Sequence, residues 1–289
     1  MVVVFQILLS IFVMAHPLIQ IESSSTTPLQ GDAVWVYVKS SKKLSSGSVE
    51  LNKKSFKMFE KKAEQSDRYD YLTCIGISRY LSPKKYQLKF NLNYTDGSAY
   101  QTHQTITVKS ANFKKEHITL KPKKLKLSQD KPKIRNENSI LGKQFKKVTA
   151  KKRFNDSFLW PVEGRHTSEF GVQRVYNNRP GWAHSGVDIS AVKGTPIKAS
   201  HAGTVIFADL LNVHGNTVMI DHGWGIVTVY NHLNKINVKT NDNLSKGDLI
   251  GTVGSTGIAT GDHLHFGVSV QNIRINPTTW VNSISNSIP

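Results

Sequence analysis

Two histidines two residues apart, His263 and His265, lie in an apolar run with Leu264, Phe266, Val268 and Val270. β-Branched and aromatic residues at that density suit a strand. Side chains alternate across a strand, so both imidazoles leave from one face and Leu264 from the other. A second pair of candidate donors sits in His184-Ser-Gly-Val-Asp188. Its i, i+4 spacing could put both on one helix face, but Gly186 followed by Val187 and Ile189 favours a turn running into a strand. Paired imidazoles on one face, with a His and a carboxylate from elsewhere, form the donor set of a zinc site. Each motif alone is weak, because both spacings recur by chance.

The elements that must position these residues follow from composition and patterning. A chain of 289 residues has room for about two domains and a proper core. Its 38% hydrophobic and 20% charged residues fit a globular protein. The first apolar stretch, Val2 to Ala15, is short for a bilayer span and suits a signal peptide (residues 1–15), with Val13-Met-Ala15 as cleavage site. Its defect is the lack of Lys or Arg ahead of the apolar run. Export to the periplasm or cell wall is the expectation.

Residues 24–112 read as a small β-sandwich of immunoglobulin-like character. Short strands are expected at Ala33–Val38, Ser48–Leu51, Tyr71–Ile77, Tyr86–Tyr94 and Ala99–Val108, with Thr95-Asp-Gly-Ser98 as a hairpin turn. Nothing there has ligand spacing: His103 and His117 are isolated, and Cys74, flanked by Leu72, Ile75 and Ile77, reads as a small core residue. Residues 113–157 are rich in lysine and read as a basic linker, with a short helix around Asn138 to Ala150. From Phe158 to the end, 158–289, glycine becomes frequent and strands recur at Thr204–Ala208, Asn216–Asp221, Ile226–Tyr230, Leu249–Val253 and His263–Val270. The fold class is therefore all-β, with the C-terminal half an antiparallel β-sheet domain.

A formal net charge of +18 directs attention to anionic partners: nucleic acid, a membrane surface or a cell-wall polymer. No RNA-binding or helix-turn-helix signature accompanies the charge, so nucleic acid is not expected. A lysine-rich composition alone would produce the same balance.

The motifs combine specifically. Ser168-Glu-Phe-Gly171, Pro196, Gly203, His222-Gly223, Tyr230-Asn-His-Leu233, Lys246-Gly247 and Thr260-Gly-Asp-His-Leu-His265 fall in one order. In that order the segment from Phe158 to Trp280 resembles the catalytic domain of the M23 family of zinc metallopeptidases, the lysostaphin or LytM-type cell-wall endopeptidases. The front part, through Gln30-Gly31-Asp32 and its spacing, resembles the β-rich domain preceding the peptidase in many Gram-negative members.

The resemblance implies one zinc per chain, held by His184, Asp188 and His265, with proton transfer and transition-state stabilisation by His232 and His263. Which of the last two is the base stays open. Two imidazoles and one carboxylate leave an open position, as in catalytic rather than structural zinc sites. The implied substrate is peptidoglycan, and the implied activity is that of a zinc metalloendopeptidase cutting stem peptides or cross-links. The β-rich front domain and the lack of a wall-binding module after Trp280 favour the D,D-endopeptidase type over a glycine-bridge endopeptidase. The alternative is a non-catalytic wall-binding protein that activates a separate amidase, against which the retained ligands count. His201, His214 and His222 lie beside turns and read as hydrogen-bonding residues rather than ligands. Asn177-Asn-Arg-Pro-Gly181 reads as a loop walling a substrate groove, and Arg174, one residue displaced from the family pattern, receives no role.

Overall fold

In the computed structural model the described residues are 18–61 and 68–284. The expected signal peptide therefore lies outside the described residues.

The front half is built from two four-stranded antiparallel sheets. One runs in the order Ile19–Ser23, Ala33–Ser40, Tyr69–Gly76, Phe59–Lys61, and the other Lys54–Lys57, Leu44–Leu51, Lys85–Tyr94, Ala99–Thr107. The strands Ala33–Ser40 and Tyr69–Gly76 are buried almost without alternation, because each face has its own partner. Val34, Val36, Tyr71 and Ile75 join the core between the two sheets. Ala33, Trp35, Leu72 and Cys74 point the other way, into the core of the C-terminal half. Strands covered on both sides carry continuous apolar runs rather than alternating ones, which is what Ala33-Val-Trp-Val-Tyr-Val38 is. Cys74 is buried as expected, and burial pushes its thiol pKa up, which suits an inert core residue.

The C-terminal sheet has eight strands. Its main path runs Arg165–Ser168, Val187–Ser190, His263–Val270, Ile226–Leu233, Gly215–Asp221, Gly203–Leu211, Asn243–Leu244, with Ile273–Ile275 added beside His263–Val270. Strand Ile226–Leu233 is buried along its whole length. Ile226, Tyr230 and Leu233 enter the main core, while Val227 and Val229 pack on the opposite face with Met219, Leu141 and Phe145.

Leu141 and Phe145 belong to the segment read as a basic linker, and the structure folds it. Residues Lys115–Ile118 form a strand parallel to Gln173–Tyr176. Helices follow at Pro122–Gln129 and Lys131–Phe145 in place of the one helix expected from Asn138 to Ala150. The longer helix starts at Asp130, whose carboxylate accepts from the Lys133 N–H, with Pro132 in the first turn. Glu137, Leu141 and Phe145, spaced four apart, are its buried residues. A single narrow stripe of this kind cannot stabilise a helix in isolation. Against the sheet, Leu141 and Phe145 each contribute roughly 1.5–3 kcal/mol.

Candidate metal centre

Strand pairing sets the site. Val187–Ser190 pairs antiparallel with His263–Val270, with Asp188 opposite His265 and Ser190 opposite His263. Asp188, His263 and His265 are thereby brought to one face. Gly186 makes the close approach possible, since a Cβ there would stand 2.2 Å from the Phe266 carbonyl oxygen and 2.9 Å from the His265 ring. His184 is placed by two backbone hydrogen bonds: its N–H donates to the Val172 carbonyl, and its carbonyl accepts from the Gly171 N–H, both at 2.8 Å.

Three donor atoms converge. Nε2 of His184 lies 3.0 Å from Oδ1 of Asp188 and 2.9 Å from Nδ1 of His265, and the latter lies 2.9 Å from the same Oδ1. All three residues are buried. Nδ1 of His184 is 2.8 Å from the Glu169 carbonyl oxygen, which can only accept, so Nδ1 carries the proton and Nε2 presents a lone pair. The second carboxylate oxygen of Asp188 accepts a hydrogen bond from Nη2 of Arg174. Burial opposes the charged form of Asp188, yet its close contacts with His184 and His265 hold its carboxyl well below the usual range. Burial pulls His265 down to about 3 despite its contact with Asp188, so its ring is neutral near pH 7. Two imidazoles and one ionised carboxylate, with donor atoms aimed at one point, fit a divalent ion such as zinc.

Two more imidazoles stand beside this cluster. The His232 ring lies 5.0 Å from His263 and 6.2 Å from His265, centre to centre. Nε2 of His263 is 3.8 Å from Oδ1 of Asp188. Each ring uses Nδ1–H on a carbonyl, His232 on Thr256 at 2.8 Å and His263 on Gly261 at 2.9 Å. In the neutral form of either ring Nε2 is the nitrogen left with a lone pair. His232 adopts φ 66°, a left-handed conformation costing roughly 1–2 kcal/mol for a side chain with a Cβ. Its N–H donates to the His214 carbonyl at 3.1 Å, which helps hold the conformation. Burial, reinforced by His263 and His265, pushes its pKa well below the ordinary value.

Arg174, given no role from sequence, is thus the buried cation on Asp188. It also donates to the Ser168 hydroxyl at 3.1 Å and lies 3.8 Å from Glu116. Ser168 in turn donates to Glu116 at 2.7 Å. Glu116 comes from the strand Lys115–Ile118, and no spacing in the sequence ties it to the site. Of residues 177–181, Asn177 and Asn178 form the turn of a hairpin between Gln173–Tyr176 and Arg179–Ala183 and the rest begin its second strand, from which Trp182 lines the cleft with His184 and His232.

His201, His214 and His222 hydrogen-bond outside the cluster. His214, at the cleft, lies 3.0 Å from the buried Glu137 carboxylate, which also accepts from the N–H groups of Asn212 and Val213. Burial raises the Glu137 pKa, but His214 and those N–H groups outweigh it and bring it to about 2. His222 donates through Nδ1 to the Ala202 carbonyl, and Nε2 accepts from the Thr228 hydroxyl. Burial takes it to about 3. His201 pairs with Asp156. His103 and His117 are exposed.

Comparison with known proteins gives the stretch around the cluster a family. Residues 183–277 match the model of peptidase family M23. The chain is 40% identical over 119 residues to the DD-carboxypeptidase/endopeptidase Mpg of Neisseria meningitidis, a match covering 41% of this chain and 27% of that protein. It is 42% identical over 97 residues to the peptidoglycan DD-endopeptidase ShyC of Vibrio cholerae, covering 34% and 22% respectively. The chain thus spans about a quarter of the length of these curated relatives. A solved structure from Pseudomonas aeruginosa, ascribed to peptidase M23, aligns with a TM-score of 0.63 at 25% identity, covering 89% of this chain and 96% of that one. With the His-Asp-His cluster inside it, the stretch 183–277 is a peptidase family M23 domain within the chain.

Proposed function

We propose that the chain is a zinc-dependent endopeptidase that hydrolyses peptide bonds in peptidoglycan stems or cross-links, and that it works outside the cytoplasmic membrane. The observation that carries this reading is the convergence of His184, Asp188 and His265 donors within 3.0 Å of one another, beside His232 and His263. Those three residues would hold the ion, and Arg174 fixes the carboxylate that reaches it. Zinc, when bound, supplies Lewis acidity toward a carbonyl and toward water. His232 and His263, each with a free Nε2 lone pair, are suited to take a proton from the attacking water and deliver it to the leaving amine. The names of the Neisseria and Vibrio relatives support peptidoglycan as substrate and a D,D-type bond. The presence of all five residues counts against a purely non-catalytic role as activator of an amidase.

Digestion of purified sacculi, followed by mass spectrometry of the muropeptides, tests this directly. Cross-linked dimers should give way to monomers with zinc present, and should persist after chelation or with His184→Ala. Full activity in His184→Ala would remove the zinc mechanism.

A further inference from the structure

A groove of about 720 Å³ lies between the helix Lys131–Phe145 and the hairpin carrying Trp182. One wall presents Tyr176, Arg179 and Trp182, and the other Lys131, Ile134 and Arg135. We propose that this groove binds a carboxylate-bearing peptide arm of the substrate, extending from the scissile bond at the metal centre. The inference rests on the endopeptidase reading above.

Its position is the first support. Trp182 lines both the groove and the cleft that holds His184, His232 and His265, so one end of the groove opens beside the candidate metal site. Charge is the second. Lys131 and Arg135 are four apart on one helix face, with Arg179 on the facing hairpin, and no acidic side chain lines the groove. Among the described residues none of these three cations pairs with a carboxylate, and all three are exposed. The neighbouring Asp130 is engaged at the helix start, accepting from the Lys133 N–H and lying 3.6 Å from the Lys133 ammonium. Three uncompensated cations around one concavity call for an anionic occupant, and guanidinium groups suit carboxylates through paired hydrogen bonds. Shape and surface are the third. The Trp182 ring is 39% exposed and packs 5.4 Å from Tyr176, which with Ile134 gives an apolar floor for the aliphatic parts of a peptide. A neutral sugar chain would use that floor but leave the cations unanswered.

Equilibrium binding by calorimetry on the full chain separates these cases. The probes are a soluble stem tetrapeptide with free carboxylates, the same peptide with its carboxylates amidated, and a peptide-free disaccharide. The acidic peptide should bind about tenfold more weakly to the Arg135→Gln/Arg179→Gln variant than to the parent, a loss of about 1.4 kcal/mol. It should bind unchanged to Lys85→Gln/Lys89→Gln, which loses the same charge on the front sheet. The amidated peptide should bind weakly and equally to all three proteins, and added salt should close the gap. Equal binding of the acidic peptide to the parent and the groove variant would overturn the proposal. So would equal affinity for acidic and amidated peptides, or disaccharide binding that alone responds to Trp182→Ala. No turnover is needed for this measurement. Groove-dependent binding with uncut sacculi would therefore sink the proposed reaction and keep the groove, whereas cut sacculi with groove-independent binding would do the reverse.

Discussion

Asp188 divides its carboxylate between two tasks: Oδ1 faces His184 and His265, and Oδ2 is held by Arg174. Second-layer partners of this kind typically influence metal affinity by 10- to 100-fold. Arg174→Gln should weaken zinc binding by about that factor in a competition assay with a chromogenic chelator, with the circular dichroism spectrum retained. Wild-type affinity would show that Asp188 orients itself. The imidazoles of His263-Leu-His265 should also part company. His265→Ala should lose metal and activity together, whereas His263→Ala should keep its zinc and lose turnover by about 10²- to 10⁴-fold, the usual range for a proton-transfer group. Equal loss of metal in both would reverse the assignment. Strand alternation puts His263 and His265 on one face from the sequence alone, and motif order, through the family resemblance, offers His184, Asp188 and His232 as candidates. Arg174 and Glu116 are not legible there, because their roles arise where the strand Lys115–Ile118 aligns with Gln173–Tyr176, a pairing between segments remote in sequence.

At the level of elements, each strand named from the sequence, such as Ala33–Val38, Tyr86–Tyr94 or His263–Val270, has a counterpart, with edges moved by a few residues. Dense β-branched runs bounded by glycine and asparagine turns carry that information locally. The helix Lys131–Phe145 is harder to see. Polar residues dominate its composition, and its apolar stripe is narrow, so its stability comes from Met219, Val227 and Val229 on a sheet formed much later in the chain. Asp130 and Pro132 mark its start, and Glu137 fastens it. Because Glu137 is only 2% exposed and accepts from two backbone N–H groups and His214, Glu137→Ala leaves buried donors without partners. Each orphaned donor costs about 1–3 kcal/mol. The variant should lose about 3 kcal/mol in urea denaturation, and a change below 0.5 kcal/mol would mean that water replaces the carboxylate there.

For the whole molecule, buried neutral histidine ties stability to pH. The unfolded chain takes up a proton at His222 near pH 6.5, while the folded chain resists it until about 3. Between those values the unfolded state binds more protons, so stability is full above pH 6.5 and falls as pH drops toward 3. The slope from this one group approaches about 1.4 kcal/mol per pH unit. His222→Gln cannot titrate and should give a flatter stability profile over pH 6.5 to 3, and an equally steep profile would assign the acid sensitivity to other groups.

The two halves also meet through more than a linker. Gln271 accepts from the Lys57 N–H at 2.7 Å and donates to the Lys57 carbonyl and the Thr73 hydroxyl, both at 3.0 Å. Phe59 stacks on Trp224 at 5.1 Å, and Trp35 packs 6.2 Å from Trp280. The outer face of the front sheet is thus part of the C-terminal half's interior. Modular exchange is where this matters most. Another sandwich of the same size, spliced ahead of Phe113, would arrive without Ala33, Trp35, Phe59, Leu72 and Cys74, and a chimera would have to transplant that five-residue footprint to close the interior of its new host.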